Sequence, residues 1–334
     1  MRIIMASRES DWRREAENSI LLKSVSHWRE KPERWFRGSY DRLPETVRVN
    51  PMSEEKDWVE SWLSGIGANR IPWFSGPGSA WEMPFERGSA EEEVKSLMAA
   101  LHETGRITRQ EAVSMLPVLA LDPTPGQIIL DLCASPGSKT TQICEHLGDS
   151  GAVIANEVIS GRVNTLVTNV QRHASRAVLV VQHDGRHMPR VPGSGFDGVL
   201  VDVPCTGSGT TRKNPDVWGK WRPSSGRSLH SLQYDLLSRA IELTKPGGRV
   251  VYSTCSLDPI ENEAVVARVL AGGKVRVVPR GDSLSGVPSR PGMTNWPLLN
   301  DKGELDNESK SEEYLIPTKD MAVSSQLNEC LRVW

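Results

Sequence analysis

No apolar run in the 334-residue sequence reaches about 18 residues, the length a membrane-crossing helix needs. The opening residues, MRIIMASRESDWRRE, lack the apolar stretch of a secretory signal. The 5 cysteines (Cys133, Cys144, Cys205, Cys255, Cys330) show neither CxxC spacing nor a Cys/His zinc pattern, so no metal is expected. An odd number of thiols without a signal reads as a reducing compartment, cytoplasmic, or nuclear in a eukaryote. The phosphate cradle GxxxxGK[ST] is absent too. Net charge is only −2, so no global field marks a polyanion binder. Residues 1–95 carry 15 basic and 17 acidic side chains, 96–274 carry 18 and 16, and 275–334 carry 7 and 9. Any polyanion site is therefore a local patch. Tyrosine and phenylalanine number 4 each against 11 tryptophans. Seven of those (Trp12, Trp28, Trp35, Trp58, Trp62, Trp73, Trp81) precede residue 82.

What is present is a globular composition, 38% apolar and 25% charged, in three stretches. Residues 1–95 predict a small α/β module: a strand at ETVRVN (45–50), an amphipathic helix at EKDWVESWLSGIG (55–67), then IPWF and AWEMPF around a Gly/Pro turn. Residues 96–274 alternate apolar runs of strand length with helical stretches. The runs are IILDL (128–132), AVIANEV (152–158), AVLVVQHD (177–184), GVLVDVP (198–204) and RVVYSTCSL (249–257). Continuous apolar strands between helices predict a mostly parallel sheet covered on both faces, with ligands at the carboxyl ends of the strands. From about residue 283 the polar text predicts an exposed excursion, with LNECLRVW as a closing strand at the sheet edge.

The first strand runs into Cys133, Ala134, Ser135, Pro136, Gly137, Ser138 and Lys139 before a helix. Small residues there let a ligand approach backbone and helix N-terminus, although an ordinary turn would read similarly. The next strands end at Glu157, Asp184 and Asp202. A carboxylate beyond the second strand suits a ribose diol. Three carboxylates on one rim suit a ligand with a ribose, an amine-bearing base and a positive centre. S-adenosylmethionine has all three; NAD or ATP would want more positive charge.

Two thiols fall on the same rim, Cys205 after Pro204 and Cys255 in STCS. Either both are buried hydrophobes, or a thiolate attacks carbon 6 of a pyrimidine and so activates carbon 5 toward a methyl group. A catalytic thiol needs nearby positive charge, which Lys139 could supply. Arg212 and Lys213 follow the glycine-rich loop as candidate phosphate contacts. Trp218 and Trp221 are either core residues or a stacking platform for an extruded base.

The runs GRITRQEAVSMLPVLALDP, DLCASPGSKTTQ, DVPCTGSGTTRKNPDVWGKW and GGRVVYSTCSLDPIENEAVV resemble the RNA cytosine-5 methyltransferases of the NOL1/NOP2/Sun family over residues 45–270. RKNPDVWGKW and QEAVSM are most similar to its tRNA-modifying branch. The resemblance implies a Rossmann-like class I S-adenosylmethionine-dependent methyltransferase sheet at 96–274, preceded by an RNA-binding accessory module at 1–95. Residues 133–139 would wrap the methionine and ribose of S-adenosylmethionine, and Glu157, where the family often has Asp, would take the ribose hydroxyls. Asp184 would contact the adenine side. Asp202, on the cofactor rim, would face the target cytosine, holding a proton for its N3 or amine. Cys255 would be the nucleophile and Cys205 would assist product release; DNA cytosine-5 methyltransferases use the Pro-Cys thiol instead. The implied partner is RNA, tRNA first, with the protein a monomer and no membrane or metal involved. The competing expectations are a ribosomal RNA substrate, or a non-catalytic RNA-binding protein on the same scaffold. The family's closing Gly-Gly-Phe-Phe-like strand does not occur before Leu331-Arg332-Val333-Trp334, so 275–334 is expected to lack a strand or to be truncated.

Overall fold

The computed structural model describes residues 12–190, 193–279, 281–306 and 312–333. Strands β1 (Pro44–Val49), β2 (Asn69–Arg70), β3 (Ser79–Glu86) and β4 (Ile107–Arg109) form an antiparallel sheet in the order β2-β3-β1-β4. The helix Lys56–Gly65 buries Val59 and Leu63 against it, with Val47, Val49, Trp81 and Met83. β4 lies beyond the boundary expected at residue 95. It joins this sheet because Val47 and Val49 pair with Arg109 and Ile107. IPWF is a turn rather than a strand; of it only Ile71 is buried.

The apolar runs of the second stretch become β5 (Ile128–Asp131), β6 (Ala152–Asn156), β7 (Val178–Val181), β8 (Phe196–Asp202) and β9 (Thr244–Ser253). All pair in parallel, in the order β7-β6-β5-β8-β9. Helices Ser138–Leu147, Ser160–His173 and Pro223–Leu243 connect successive strands, giving the Rossmann-like α/β class. The core lies on both faces: Leu130, Val199 and Val201 pack with Leu236 and Leu243, while Ile129, Val153 and Leu200 pack with Ile143 and Leu147. Order reverses between β5, β6 and β8, so the loops after those strands open on one crevice.

Three expectations are revised. The stretch after 283 is not merely an exposed excursion: Trp296, Leu299, Leu315, Val323 and Leu327 are buried, the first and last three of these against the helix Glu263–Leu270. Few and widely spaced apolar residues hid that core from a local reading. Residues 331–333 do not reach the sheet edge either, Trp334 lying outside the described residues; β11 (Leu331–Arg332) pairs antiparallel with β10 (Arg290–Pro291) in a separate ribbon. The early tryptophans, finally, divide. Trp28 meets Trp221 edge-on at 5.7 Å and Trp35 lies 5.6 Å from Trp218, so residues 12–40 pack on the half that carries the parallel sheet rather than standing apart from it. Among the described residues, no helix is long and apolar enough to cross a membrane.

Candidate active site

The turn after β5 is built for close approach. Gly137 has φ +107°, a backbone that disfavours any side chain, and an added Cβ would meet Leu166 Cδ1 at 3.0 Å. The helix Ser138–Leu147 starts at once, presenting its free amides to the crevice. The helix after β6 braces the turn from outside: Arg162 Nη2 donates to Ser135 O (2.7 Å) and Asn169 Nδ2 to Pro136 O (2.6 Å). Ala134, Ser135 and Gly137 are buried, Cys133, Ser138 and Lys139 half-buried, and Pro136 exposed. Burial pushes the Cys133 thiol up, so it stays protonated and inert.

Asp131 closes β5 and is fully enclosed. Thr140 Oγ1 donates to its Oδ2 at 2.7 Å, while Oδ1 is buried without a hydrogen-bond partner. Burial raises its carboxyl to about 7. Glu157 is buried beyond β6; Ile159 N–H donates to Oε1 (2.9 Å) and Arg162 Nη1 stands 3.4 Å from Oε2. Asp184 is engaged otherwise than expected. Arg186 Nη2 donates to its Oδ2 at 2.6 Å, and hydrogen bonds from that guanidinium hold the carboxyl down at about 2. It also caps the short turn Gly185–His187.

Asp202 ends β8 with both oxygens facing donors: Lys139 Nζ reaches Oδ2 at 2.7 Å and Ser253 Oγ donates to Oδ1 at 2.7 Å. This lysine ties the turn after β5 to the end of β8, where a solvated helix-start lysine was the alternative. Beside it the two thiols meet, with Cys205 Sγ 3.1 Å from Cys255 Sγ. Cys205 is half-buried and Cys255 exposed. Either sulfur can donate across this contact; with Cys205 as the donor, its hydrogen bond lowers Cys255 below the ordinary thiol range. The same contact drives Cys205 far up. With Cys205 as the donor, the first proton of the pair leaves from Cys255.

The residues proposed to touch RNA fare differently. Trp218 and Trp221 are 0% and 3% exposed, so neither offers a face for a base. Trp218 is packed by Trp35 and Phe36, and Trp221 Nε1 donates to Thr206 Oγ1 at 3.1 Å. Their apolar bulk found a core because the early aromatic residues fold onto them. Arg212 spends Nε on Asp41 O (2.7 Å) and Nη2 on Arg42 O (3.2 Å); Lys213 next to it is exposed.

Sequence reasoning missed two buried charges near this site. Glu261 lies beneath both thiol loops. Arg48, on β1, reaches Ser138 O at 3.2 Å and both oxygens of Glu145 at 2.8 Å. The signal for Arg48 was a charge set among the apolar residues of TVRV; that for Glu261 was an acidic residue in PIENEAVV, readable only with the loops in view. Among the described residues, no group of three His, Cys, Asp or Glu could hold a metal ion.

The comparisons agree with this architecture. A tRNA cytosine-C5 methyltransferase of Saccharomyces cerevisiae, named as multisite-specific, is 37% identical over 290 residues, covering 79% of this chain and 42% of its own. A tRNA (cytosine(34)-C5)-methyltransferase of Drosophila melanogaster is 45% identical over 213 residues, covering 58% and 29%. The chain thus spans less than half the length of either relative. A solved methyltransferase homologue from Pyrococcus horikoshii superposes with a TM-score of 0.65 at 28% identity, covering 92% of this chain and 90% of its own. The profile of the family described as 16S rRNA methyltransferase RsmB/F matches residues 118–293, just over half the sequence and all five parallel strands. With that breadth of match and the class I methyltransferase sheet beneath it, the chain belongs to the RsmB/F methyltransferase family.

Proposed function

We propose that this chain transfers a methyl group from S-adenosylmethionine to carbon 5 of a cytosine in RNA, tRNA in particular, through a covalent cysteine–pyrimidine intermediate. The observation that carries it is the meeting of Cys205 and Cys255 at 3.1 Å beside Asp202, on the rim where the glycine turn and Glu157 converge. Two adjacent thiols, one favoured as thiolate and one held protonated, suit a reaction that first adds sulfur to a ring and later expels it.

The cofactor residues fit. The turn's backbone admits a ligand at Gly137, and the buried Asp131 Oδ1 and Asn156 Oδ1 are without partners beside it. S-adenosylmethionine, when bound, supplies an electrophilic methyl group. The residues of 133–139 hold it, and Glu157 accepts hydroxyl donors. Cys255 adds to carbon 6 as thiolate, which makes carbon 5 nucleophilic; after methylation a base takes the carbon-5 proton, the electron pair left behind re-forms the C5–C6 double bond, and Cys255 leaves as thiolate. Cys205 is assigned to that second half. Asp202, met by two donors, is read as an acceptor for the cytosine's amino group rather than as a proton carrier. The target base is taken out of its stack to reach these thiols.

A tRNA substrate suits a cytoplasmic or nuclear setting. The two relatives named as tRNA cytosine-C5 methyltransferases favour tRNA, while the matching family's description supports ribosomal RNA as a second reading. The test uses both thiols with RNA and S-adenosylmethionine. Cys205→Ala should accumulate a protein–RNA adduct on denaturing gels, and Cys255→Ala should give neither adduct nor product. Methylation by Cys255→Ala would overturn the assignment. Methylated-cytosine mapping of RNA from cells lacking the protein separates tRNA from ribosomal RNA.

A further inference from the structure

The turn between β9 and the helix Glu263–Leu270 buries a carboxylate completely: Glu261 is 0% exposed. Its four acceptor positions meet four neutral donors. Oε1 accepts from Thr206 N–H (2.9 Å) and Gln233 Nε2 (3.0 Å); Oε2 accepts from the hydroxyls of Thr206 and Ser256. Thr206 directly follows Cys205, and Ser256 directly follows Cys255. Gln233 also donates to Pro204 O at 3.0 Å, on the other side of Cys205. Tyr252, three residues before Cys255, donates through its hydroxyl to the main-chain oxygen of Glu261. One carboxylate thus ties together the neighbours of both thiols.

A buried charge is costly unless such bonds satisfy it. Its field also opposes ionisation of both thiols, because a nearby negative charge disfavours a thiolate. Electrostatics alone would favour a neutral side chain here, so what the carboxylate contributes is geometry: an acceptor-only fork that clamps two loops at once.

We propose that Glu261 is a positioning residue that sets the separation and orientation of Cys205 and Cys255 by holding Thr206 and Ser256 on a single carboxylate. The inference deepens the proposed methyl transfer and rests on it for its meaning, but the geometry can be read without any methylation.

The probe is a dibromobimane, a short bis-alkylating reagent that fluoresces only after bridging two thiols. The folded wild type should bridge Cys205 and Cys255 rapidly, and Cys205→Ala should not. Glu261→Gln replaces two acceptor sites with an amide donor facing Thr206 or Ser256. It should bridge about tenfold more slowly while single alkylation of Cys255 persists, since a small misplacement of reacting groups costs rate steeply. Bridging at the wild-type rate in a folded Glu261→Gln would overturn the proposal. So would a mere downward shift in the pH midpoint of Cys255 alkylation with bridging unchanged, because that is the signature of a charge acting alone. If Glu261→Gln does not fold, Thr206→Val decides: slower bridging supports the clamp, and wild-type bridging overturns it. Failure of RNA methylation with intact bridging in the wild type would instead count against the proposed reaction.

Discussion

The sulfurs of Cys205 and Cys255 lie 3.1 Å apart although the residues are separated by 50 positions in sequence. Parallel pairing of β8 with β9 makes this inevitable, since Asp202 sits beside Ser253 in the register and each cysteine follows its strand by two or three residues. The thiol–thiolate bond that results has a measurable consequence. Replacing Cys205 by alanine removes the donor that lowers Cys255, so the pH midpoint for alkylation of Cys255 should rise toward that of a free thiol. At pH 7 the variant should react more slowly with iodoacetamide than the parent. An unchanged midpoint would show that Lys139, not Cys205, sustains the thiolate.

The ion pair of Arg48 and Glu145 joins the antiparallel sheet to the helix that opens at Ser138. Both side chains are almost wholly buried, and His173 Nε2 adds a contact to Glu145 at 3.2 Å. Burial opposes ionisation of Glu145, yet the guanidinium and the histidine together hold its carboxyl below the usual range. Arg48→Ala leaves that carboxylate alone in the interior and should cost about 3–5 kcal/mol in denaturant unfolding. Arg48→Met with Glu145→Leu should recover much of the loss, because an apolar pair needs no desolvation. A cost for Arg48→Ala below about 1 kcal/mol would mean water enters the site.

The sheet and much of the rim were legible because their signals are local. Continuous apolar strands alternate with helical stretches, and the helices Ser138–Leu147 and Ser160–His173 fill the intervals between the strand runs. Each strand end then carries its chemistry within a few residues. What sequence could not show depends on distant partners. Trp218 reads as readily as a stacking surface as it does as core until Trp35 and Phe36 are folded onto it. Asp184 reads as a free carboxylate until Arg186 turns back on it. Glu261 reads as one more acid at a helix start until both thiol loops close over it. β4 escaped the first module because only pairing with β1, more than 50 residues earlier, assigns it there.

Two buried acids give stability a pH dependence of unusual sign. Burial raises Asp131 to about 7, and burial together with Glu261 raises Asp258 to about 8. Both bind protons more tightly folded than unfolded, where an aspartate titrates near about 4. Stability should therefore fall as pH climbs from about 5 through 8, while below about 4 both states are protonated and the effect ends. Asp131→Asn removes one contributor. Its unfolding free energy relative to the parent's should be higher at pH 8 than at pH 5, by on the order of 2–4 kcal/mol at about 1.4 kcal/mol per pKa unit, and its melting temperature should shift in the same direction. A parallel pair of melting curves across that range would mean that Asp131 is already ionised when folded.

Trp218 provides the test of core against stacking surface. It is fully buried between Trp35 and Phe36, with Phe36 edge-on at 5.5 Å, and it belongs to a cluster that also holds Trp28 and Trp221. Trp218→Ala opens a large cavity there and should cost about 3–5 kcal/mol. Trp218→Phe keeps much of the apolar volume and should cost less, so it remains folded for binding measurements. Because the indole has no accessible face, Trp218→Phe should bind single-stranded RNA within about twofold of the parent, whereas loss of a stacked base would cost about 1–3 kcal/mol. A tenfold or greater weakening, about 1.4 kcal/mol, in a variant with native stability would return Trp218 to the RNA surface.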